Sequence, residues 1–341
     1  MKPFAVLVLL LLSAGCLHED RVAGGDHAKP IESKEPVALP AQAQWRNVAA
    51  APTPRAEHSG ALVGEKFYVV GGFIVPLPVT PQTPSQTPVY APTARLEIYD
   101  PAANRWTTGA DYPIPLDHAP MVGFNGKGYV FFWSQGGSAA HAYDPTSNVW
   151  TKIADLPRSH NAGVAAVIGD RIYVVGGGGA ASTQVDVYDP QNNTWTSLES
   201  RMPTRRDHTS GAVVEGKLFV VGGDIGGHSR NTDANEMFDP ATGEWTNATP
   251  IPKMRGSLHA VSWYGRVVVM GGQNGPNGIP AFSDVDAYEP VSGTWTKLPA
   301  MPSGRHGFPA GVWQDKIFVF GGAPQMGVTG FDRVDVLASA S

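Results

Sequence analysis

Residues 171–195 read RIYVVGGGGAASTQVDVYDPQNNTW, and this stretch contains the pattern that decides the fold. It starts with the run Arg171–Val175, which is followed by glycines. A second run, Gln184–Tyr188, alternates polar and apolar residues. An Asp-Pro turn then leads to Trp195, while residues 161–168 precede the stretch across a Gly-Asp turn. Short runs of β-branched and aromatic residues bounded by Gly, Pro, Asn and Asp are typical of strands. The stretch therefore predicts a four-stranded antiparallel unit.

The same pattern recurs with a period of about 50 residues from residue 45 to residue 341, which makes six units. Each unit has a Gly-Gly pair after an apolar strand, and the first five also have an acidic residue before Pro and a Trp six residues after that acidic residue. The glycine pairs are Gly71-Gly72, Gly136-Gly137, Gly176-Gly177, Gly222-Gly223, Gly271-Gly272 and Gly321-Gly322. The acidic residues are Asp100, Asp144, Asp189, Asp239 and Glu289, and the tryptophans are Trp45, Trp106, Trp150, Trp195, Trp245 and Trp295.

Four apolar residues, a Gly-Gly pair, a spaced Tyr and a spaced Trp at this period resemble the kelch repeat. The resemblance implies a β-propeller with one four-stranded blade per repeat. We therefore expect an all-β, six-bladed kelch β-propeller over residues 45–341. The last repeat ends near Leu337 with no Trp strand after it, whereas the strand at Trp45 has nothing before it. We expect this N-terminal strand to complete the last blade, because that pairing removes two open sheet edges.

The composition excludes several other classes of protein. With 40 Gly and 30 Pro in 341 residues and only 16% charged residues, a helical bundle or coiled coil is disfavoured. A single Cys excludes a disulfide framework and a cysteine-based zinc site. The formal net charge of −5 gives no general attraction to nucleic acid, so we expect no nucleic-acid partner.

The N-terminal residues predict export rather than structure. Residues 1–15 have a basic start, a short apolar run and small residues, as in a secretory signal peptide. Leu12-Ser13-Ala14-Gly15-Cys16 resembles a bacterial lipobox, which implies that Cys16 carries lipid and attaches the protein to a membrane. Leu17 follows the cysteine, and in this it resembles outer-membrane lipoproteins, so we expect a cell-envelope location. The alternative is an ordinary signal peptide in which the cysteine has no role. Residues 16–44 are expected to form a lipidated, flexible tether.

The variable loops are expected on one face of the propeller. The longest is the proline-rich segment 73–93, and such a loop on a rigid scaffold is commonly functional or a disordered insertion. The loops that enter each blade bring Arg or His to the strand nearest the axis, which predicts a ring around one mouth of the channel. Guanidinium and imidazole groups suit carboxylate, phosphate or polyhydroxyl ligands, although each member could instead brace neighbouring blades. The candidate ligand-binding residues are Arg55, His58, His118, Arg158, His160, Arg205, Arg206, His208, Arg255, His259, Arg305 and His306.

The function that these features predict is a cell-envelope binding or interaction module for a glycan or an acidic protein segment. The ring histidines come one per repeat without a ligand spacing such as His-x-x-x-His, so repetition explains them, and we expect no metal and no cofactor. An enzyme alternative remains, because some bacterial periplasmic kelch propellers that this chain resembles in size are sialic-acid mutarotases. Asp117, Asp207 or Asp224 beside Arg205 or His208 would then supply the acid and base.

Overall fold

The computed structural model describes residues 37–74, 90–178, 183–226, 230–275, 279–325 and 330–339. Within these ranges the chain is all β and contains no helix, in agreement with the predicted class. The described residues accordingly include no helix that is long and apolar enough to cross a membrane.

Six four-stranded antiparallel sheets form the blades, and in five of them the strands follow one another in sequence order. In the first three blades the strands are β2 (Ser59–Val63), β3 (Lys66–Val70), β6 (Leu96–Asp100) and β7 (Arg105–Thr108); β8 (Met121–Phe124), β9 (Lys127–Val130), β12 (His141–Asp144) and β13 (Val149–Lys152); and β14 (Val164–Ile168), β15 (Arg171–Val175), β16 (Val185–Asp189) and β17 (Thr194–Ser197). Blades 1 and 2 also carry small hairpins, made of β4 (Phe73–Ile74) with β5 (Ala91–Pro92) and of β10 (Trp133–Ser134) with β11 (Gly137–Ser138).

The other three blades repeat this arrangement, and the last one uses a strand from the start of the chain. Their strands are β18 (Ser210–Val214), β19 (Lys217–Val221), β20 (Asn235–Asp239) and β21 (Glu244–Asn247); β22 (His259–Trp263), β23 (Arg266–Met270), β24 (Val285–Glu289) and β25 (Thr294–Lys297); and β26 (Ala310–Trp313), β27 (Lys316–Phe320), β28 (Val334–Ser339) and β1 (Ala43–Asn47). The first strands of consecutive blades contact one another, from β2 through β8, β14, β18, β22 and β26 and back to β2. They therefore surround a central channel.

Pairing of β1 with β28 closes the ring as predicted, with Trp45 opposite Leu337. The strand begins at Ala43, two residues before the predicted start of the propeller. The segment before it also packs on the propeller, since Leu39 contacts the apolar cluster between blades 5 and 6. Arg266 in addition donates to the carbonyl oxygen of Val37 at 2.6 Å. The end of the expected tether is thus part of the folded unit.

Apolar side chains from adjacent blades interlock and hold the ring together. Between blades 6 and 1, the ring of Phe67 lies 5.2 Å from that of Phe318 and 4.9 Å from that of Phe320. Five of the six repeated tryptophans, all except Trp245, add hydrogen bonds from their indole nitrogens to the preceding blade. The acceptors are the carbonyl oxygens of Pro299 for Trp45, Ala49 for Trp106, Ala110 for Trp150, Ala154 for Trp195 and Thr249 for Trp295, at 2.8–3.0 Å.

The glycine pairs end the second strand of five blades, but one predicted pair was assigned wrongly. Gly72 has φ 84°, and a Cβ there would lie 2.7 Å from the carbonyl oxygen of Ala56, so the chain needs glycine at this crossing. In blade 2, the second strand ends at Val130 and is followed by Phe131-Phe132 instead of a glycine pair. Gly136-Gly137 lies farther along, in the small hairpin. A Gly-Gly pair in the sequence therefore does not by itself mark the end of a second strand.

Candidate functional site

Four of the predicted ring arginines are buried inside their blades. Arg55, Arg206, Arg255 and Arg305 are each at most 1% exposed. Each forms an ion pair with an acidic residue of the third strand of its own blade and also donates to a backbone carbonyl oxygen near the end of the second strand. The partners are Glu97 at 2.8 Å, Glu236 at 2.6 Å, Asp286 at 2.6 Å and, for Arg305, Asp335. These arginines brace the blades, which corrects the expectation that they line the mouth.

Blades 2 and 3 fill the same position differently. In blade 3, His160 is fully buried and places Nε2 2.8 Å from Asp186 Oδ2, while Arg158 lies at the edge, 3.5 Å from that carboxylate. In blade 2, buried Leu116 stands where the arginine would be, and His141 stands in place of the acid. Arg205 precedes the buried Arg206 and is exposed on the loop face. The predicted guanidinium ring is therefore not formed.

Two more of the predicted histidines are packed beside the first strands. Burial holds the pKa of His58 well below its usual value, and the nearby Arg55 adds to this effect. Burial also lowers the pKa of His259 to about 4. Both imidazoles are consequently neutral at physiological pH and suited to packing rather than to binding an anion.

The six ring histidines do not occupy equivalent positions, which corrects the idea that repetition explains them. We number each histidine from the position in its own blade that the buried arginine, or its replacement, occupies. His160 occupies that position in blade 3, and His306 lies one residue after it in blade 6. His118 and His208 follow two residues later, and His58 and His259 lie three and four residues later. Only the shared position of His118 and His208 places two histidines in register, and it is this position that lies at the channel mouth.

A closed ring of backbone hydrogen bonds defines that mouth. Its six residues have positive φ between 46° and 61°, and all line the channel. Left-handed non-glycine residues are uncommon and concentrate at functional sites. The ring residues are Glu57, His118, Ala162, His208, Ser257 and Gly307. Its amide-to-carbonyl bonds run from Glu57 to Gly307, His118 to Glu57, Ala162 to His118, Thr209 to Ala162, Ser257 to His208 and Gly307 to Ser257, at 2.6–3.4 Å.

Glu57 is the centre of the charged groups on this ring, and sequence reasoning missed it. Its Oε2 lies 3.4 Å from His118 Nε2, and its Oε1 lies 3.1 Å from His306 Nδ1. Burial alone would raise the pKa of Glu57, but the two histidines outweigh that effect and hold the pKa well below its usual value. The carboxylate is therefore ionised and held between two imidazoles. The sequence feature that could have indicated Glu57 is its place two positions after Arg55, which is one of the repeated arginines.

His118 links Glu57 to a second carboxylate. Its Nδ1 lies 2.6 Å from Asp117 Oδ1. Burial alone would lower the pKa of His118, but Glu57 and Asp117 outweigh it and raise the pKa above its usual value of 6.5. The Asp117–His118–Glu57 chain thus combines a proton donor with a carboxylate acceptor.

Blade 4 repeats the aspartate–histidine pair on the other side of the same cluster. His208 Nδ1 lies 2.8 Å from Asp207 Oδ1 and 3.8 Å from Asp224 Oδ2. The His118 and His208 rings meet edge to face with centroids 5.0 Å apart. The structure therefore brings together His118, His208, His306 and the three aspartates that the enzyme alternative named. We call Glu57, Asp117, His118, Asp207, His208 and His306 the mouth cluster.

Below the mouth cluster the channel forms a cavity of about 330 Å³. Its wall consists mainly of small residues of the first strands, such as Gly60, Gly123, Ala165 and Gly211. Volumes of this order suit a small ligand or one projecting group of a larger ligand. The mouth cluster is rich in carboxylates and imidazoles, which favour hydroxyl or amine groups over the acidic ligand expected from a guanidinium ring.

The proline-rich loop 73–93 begins and ends beside the mouth. Phe73 and Ile74 pair with Pro92 and Ala91, and the Phe73 ring packs 5.8 Å from the His118 ring. Residues 75–89 lie outside the described part of the chain, and so does Cys16 with the predicted signal peptide. The ends of the loop confirm that it belongs to the predicted face.

Comparisons with known proteins match this architecture. The family described as the KLHDC2/KLHL20/DRC7 Kelch-repeats domain matches residues 154–322, and the Kelch motif matches residues 54–111. Kelch-like protein terF of Aspergillus terreus is 27% identical over 258 residues, covering 69% of this chain and 54% of that protein. Human Kelch-like protein 25 is 30% identical over 219 residues, covering 61% of this chain and 35% of that protein. This chain thus spans about half the length of the first relative and about a third of the second.

A solved structure, titled "Structure of YjhT", superposes with a TM-score of 0.69 at 17% sequence identity. The match covers 84% of this chain and 95% of that one, which supports a shared fold. With its six closed four-stranded blades and its matched repeats, this chain is a kelch-repeat β-propeller protein.

Proposed function

We propose that this propeller is a binding and interaction module whose ligand enters the channel mouth and contacts Glu57, His118 and His208. The observation that carries this proposal is the Asp117–His118–Glu57 chain, built on left-handed backbone positions at the opening of a cavity. A blade-bracing role does not require these groups, because Ala162, Ser257 and Gly307 occupy the equivalent ring positions in other blades. The ligand-facing groups are thus specific to blades 1, 2 and 4.

The chemistry of the mouth cluster favours a glycan over an acidic protein segment. Its carboxylates accept hydrogen bonds from hydroxyl groups, and its imidazoles donate and accept them. The guanidinium groups of Arg55, Arg206, Arg255 and Arg305 already pair with buried carboxylates. The strongest anion-binding groups of the predicted ring are therefore occupied.

A glycan and peptide binding screen tests the proposal with wild type, Glu57→Gln and His118→Gln. Loss of a charge-assisted hydrogen bond is worth about 1.5–3 kcal/mol, so we expect binding to weaken by roughly 10- to 100-fold. The control is Asp170→Asn, which changes the same charge at a turn where the carboxylate is 77% exposed. Unchanged binding by both mouth variants, with a bound glycan or peptide in hand, would remove the mouth cluster from the function.

The cellular part of the proposal is export and attachment to the bacterial envelope through a lipid on Cys16. It is supported by the lipobox-like sequence around the chain's single cysteine. Cys16→Ala should release the protein from the membrane fraction of the host, whereas wild type and Asp170→Asn should stay in it. Equal membrane association of Cys16→Ala and wild type would exclude the lipid anchor.

A second candidate function is carbohydrate mutarotation of the sialic-acid mutarotase type. The pairing of the Glu57 carboxylate with His118, whose pKa is raised, favours it. Opening a cyclic sugar needs a base for the proton of the anomeric hydroxyl and an acid that protonates the ring oxygen. Glu57 and His118 could take these two roles. NMR exchange between the anomers of sialic acid should be accelerated by wild type and slowed by His118→Gln; no acceleration by wild type would leave the binding function alone.

A further inference from the structure

Three side chains of blade 4 come together beside the mouth, and two of them, Asp207 and Asp224, have no role in the binding proposal. Asp207, His208 and Asp224 each offer a ligand atom, and these atoms lie within 4.8 Å of one another. The Asp224 carboxylate is 1% exposed, whereas that of Asp207 is 36% exposed. We propose that these residues bind one divalent metal ion, which enters from the side of Asp207.

The backbone sets the two aspartates directly opposite each other. The amide of Asp207 donates to the carbonyl oxygen of Asp224 at 3.1 Å, and the amide of Asp224 donates back at 2.7 Å. Equivalent bridges in other blades join Ala56 to Phe73, Gly256 to Gln273 and His306 to Ala323. The fold therefore does not require a carboxylate at either position. Two carboxylates set opposite each other offer a cation two negatively charged oxygen ligands.

Asn231 supplies an independent indication of a cation. It is 7% exposed and forms a bridge with Asp224, and its Nδ2 donates to Asp224 Oδ1. In the described part of the chain its Oδ1 is buried without a hydrogen-bond partner. An amide oxygen is an acceptor and a common metal ligand. A cation would satisfy this buried acceptor, which belongs to an amide group in contact with the Asp224 carboxylate.

The donor set points to a transition-series ion. Carboxylate and amide oxygens alone would suit Ca²⁺ or Mg²⁺, but an imidazole in the same cluster favours Zn²⁺ or Mn²⁺. Two carboxylates and one imidazole leave coordination positions open to water or a ligand at the mouth. The sequence analysis named these residues as candidate acids and bases but did not predict a metal site, because Asp224 lies in a different loop from Asp207-His208.

Titration calorimetry of untagged, chelator-treated and dialysed protein with ZnCl₂ or MnCl₂ tests the proposal. We expect one ion per chain for wild type and for Asp170→Asn, and a melting temperature that rises with metal concentration. Asp207→Asn and Asp224→Asn should each weaken binding at least about tenfold, since even loss of an outer partner of a metal ligand costs that much. His208→Gln should weaken Zn²⁺ binding more than Mn²⁺ binding.

Two outcomes would overturn the site. One is no binding of either ion by folded wild type. The other is unchanged affinity in Asp207→Asn, whose exposed side chain makes this substitution the least damaging to folding. Because this experiment measures metal affinity, a negative result would overturn the metal site without bearing on the glycan-binding proposal, which the Glu57 variants test separately.

Discussion

At the scale of single residues, the buried ion pairs show how charge is used inside the blades. Arg255→Leu would leave Asp286 buried without its partner, and breaking such a pair costs about 3–5 kcal/mol of unfolding free energy. The double variant Arg255→Leu/Asp286→Leu leaves no unpaired buried charge, and Leu116 of blade 2 shows that leucine fits the arginine position, so it should recover most of the loss. Urea unfolding of wild type and both variants measures the unfolding free energies. A double variant as unstable as the single one would show that the pair itself is needed.

His118 at the mouth and the packed His259 should make stability depend on pH in opposite directions. The pKa of His118 is raised above 6.5, so its contribution is complete below that pH and is lost as pH rises through the folded-state pKa. The destabilisation caused by His118→Gln should therefore be larger at pH 6 than at pH 8.5. His259, with its pKa lowered to about 4, destabilises the folded state as pH falls below 6.5, so the penalty of His259→Gln should shrink towards acid pH. The same trend in both variants would contradict the assigned directions.

At the scale of strands and turns, the glycine after the second strand is predicted to matter because of close backbone approach as well as backbone angle. Gly222 and Gly64 have nearly the same φ, 58° and 59°. A Cβ at Gly222 would lie 2.6 Å from the carbonyl oxygen of Arg255, whereas one at Gly64 meets nothing within 4 Å. Gly64→Ala should cost only the left-handed penalty of about 1–2 kcal/mol, and Gly222→Ala clearly more. Equal unfolding free energies for the two variants would refute the steric argument.

At the scale of the whole molecule, stability should depend on the strand that closes the ring. Removing residues 1–47 deletes β1, leaves the edge of β28 unpaired and takes away the bond from Trp45 to Pro299. We expect a lower melting temperature and concentration-dependent aggregation, because an open edge pairs with other chains. Removing residues 1–36 leaves Val37 and Leu39 in place and should preserve the melting temperature. Similar melting of the two truncations would mean that the ring is stable without closure.

The sequence alone determined the number of blades, the order of their strands and the use of the N-terminal strand to close the ring. These features depend on local alternation and on fixed spacings, such as the six residues from Asp189 to Trp195, which a linear reading captures. It also identified the face that carries the variable loops and most of the side chains now found at the mouth.

Only the tertiary structure decided the direction in which each side chain points. Arg55 points into its blade because it forms an ion pair there with Glu97, 42 positions later in the sequence. Glu57, only two residues after Arg55, points to the channel because its backbone is left-handed and its amide is hydrogen-bonded to Gly307. The opposition of Asp207 and Asp224 likewise arises from pairing between two loops. Such contacts join distant segments and neighbouring blades, so a local sequence pattern cannot predict them. The binding surface forms only when the ring of blades closes.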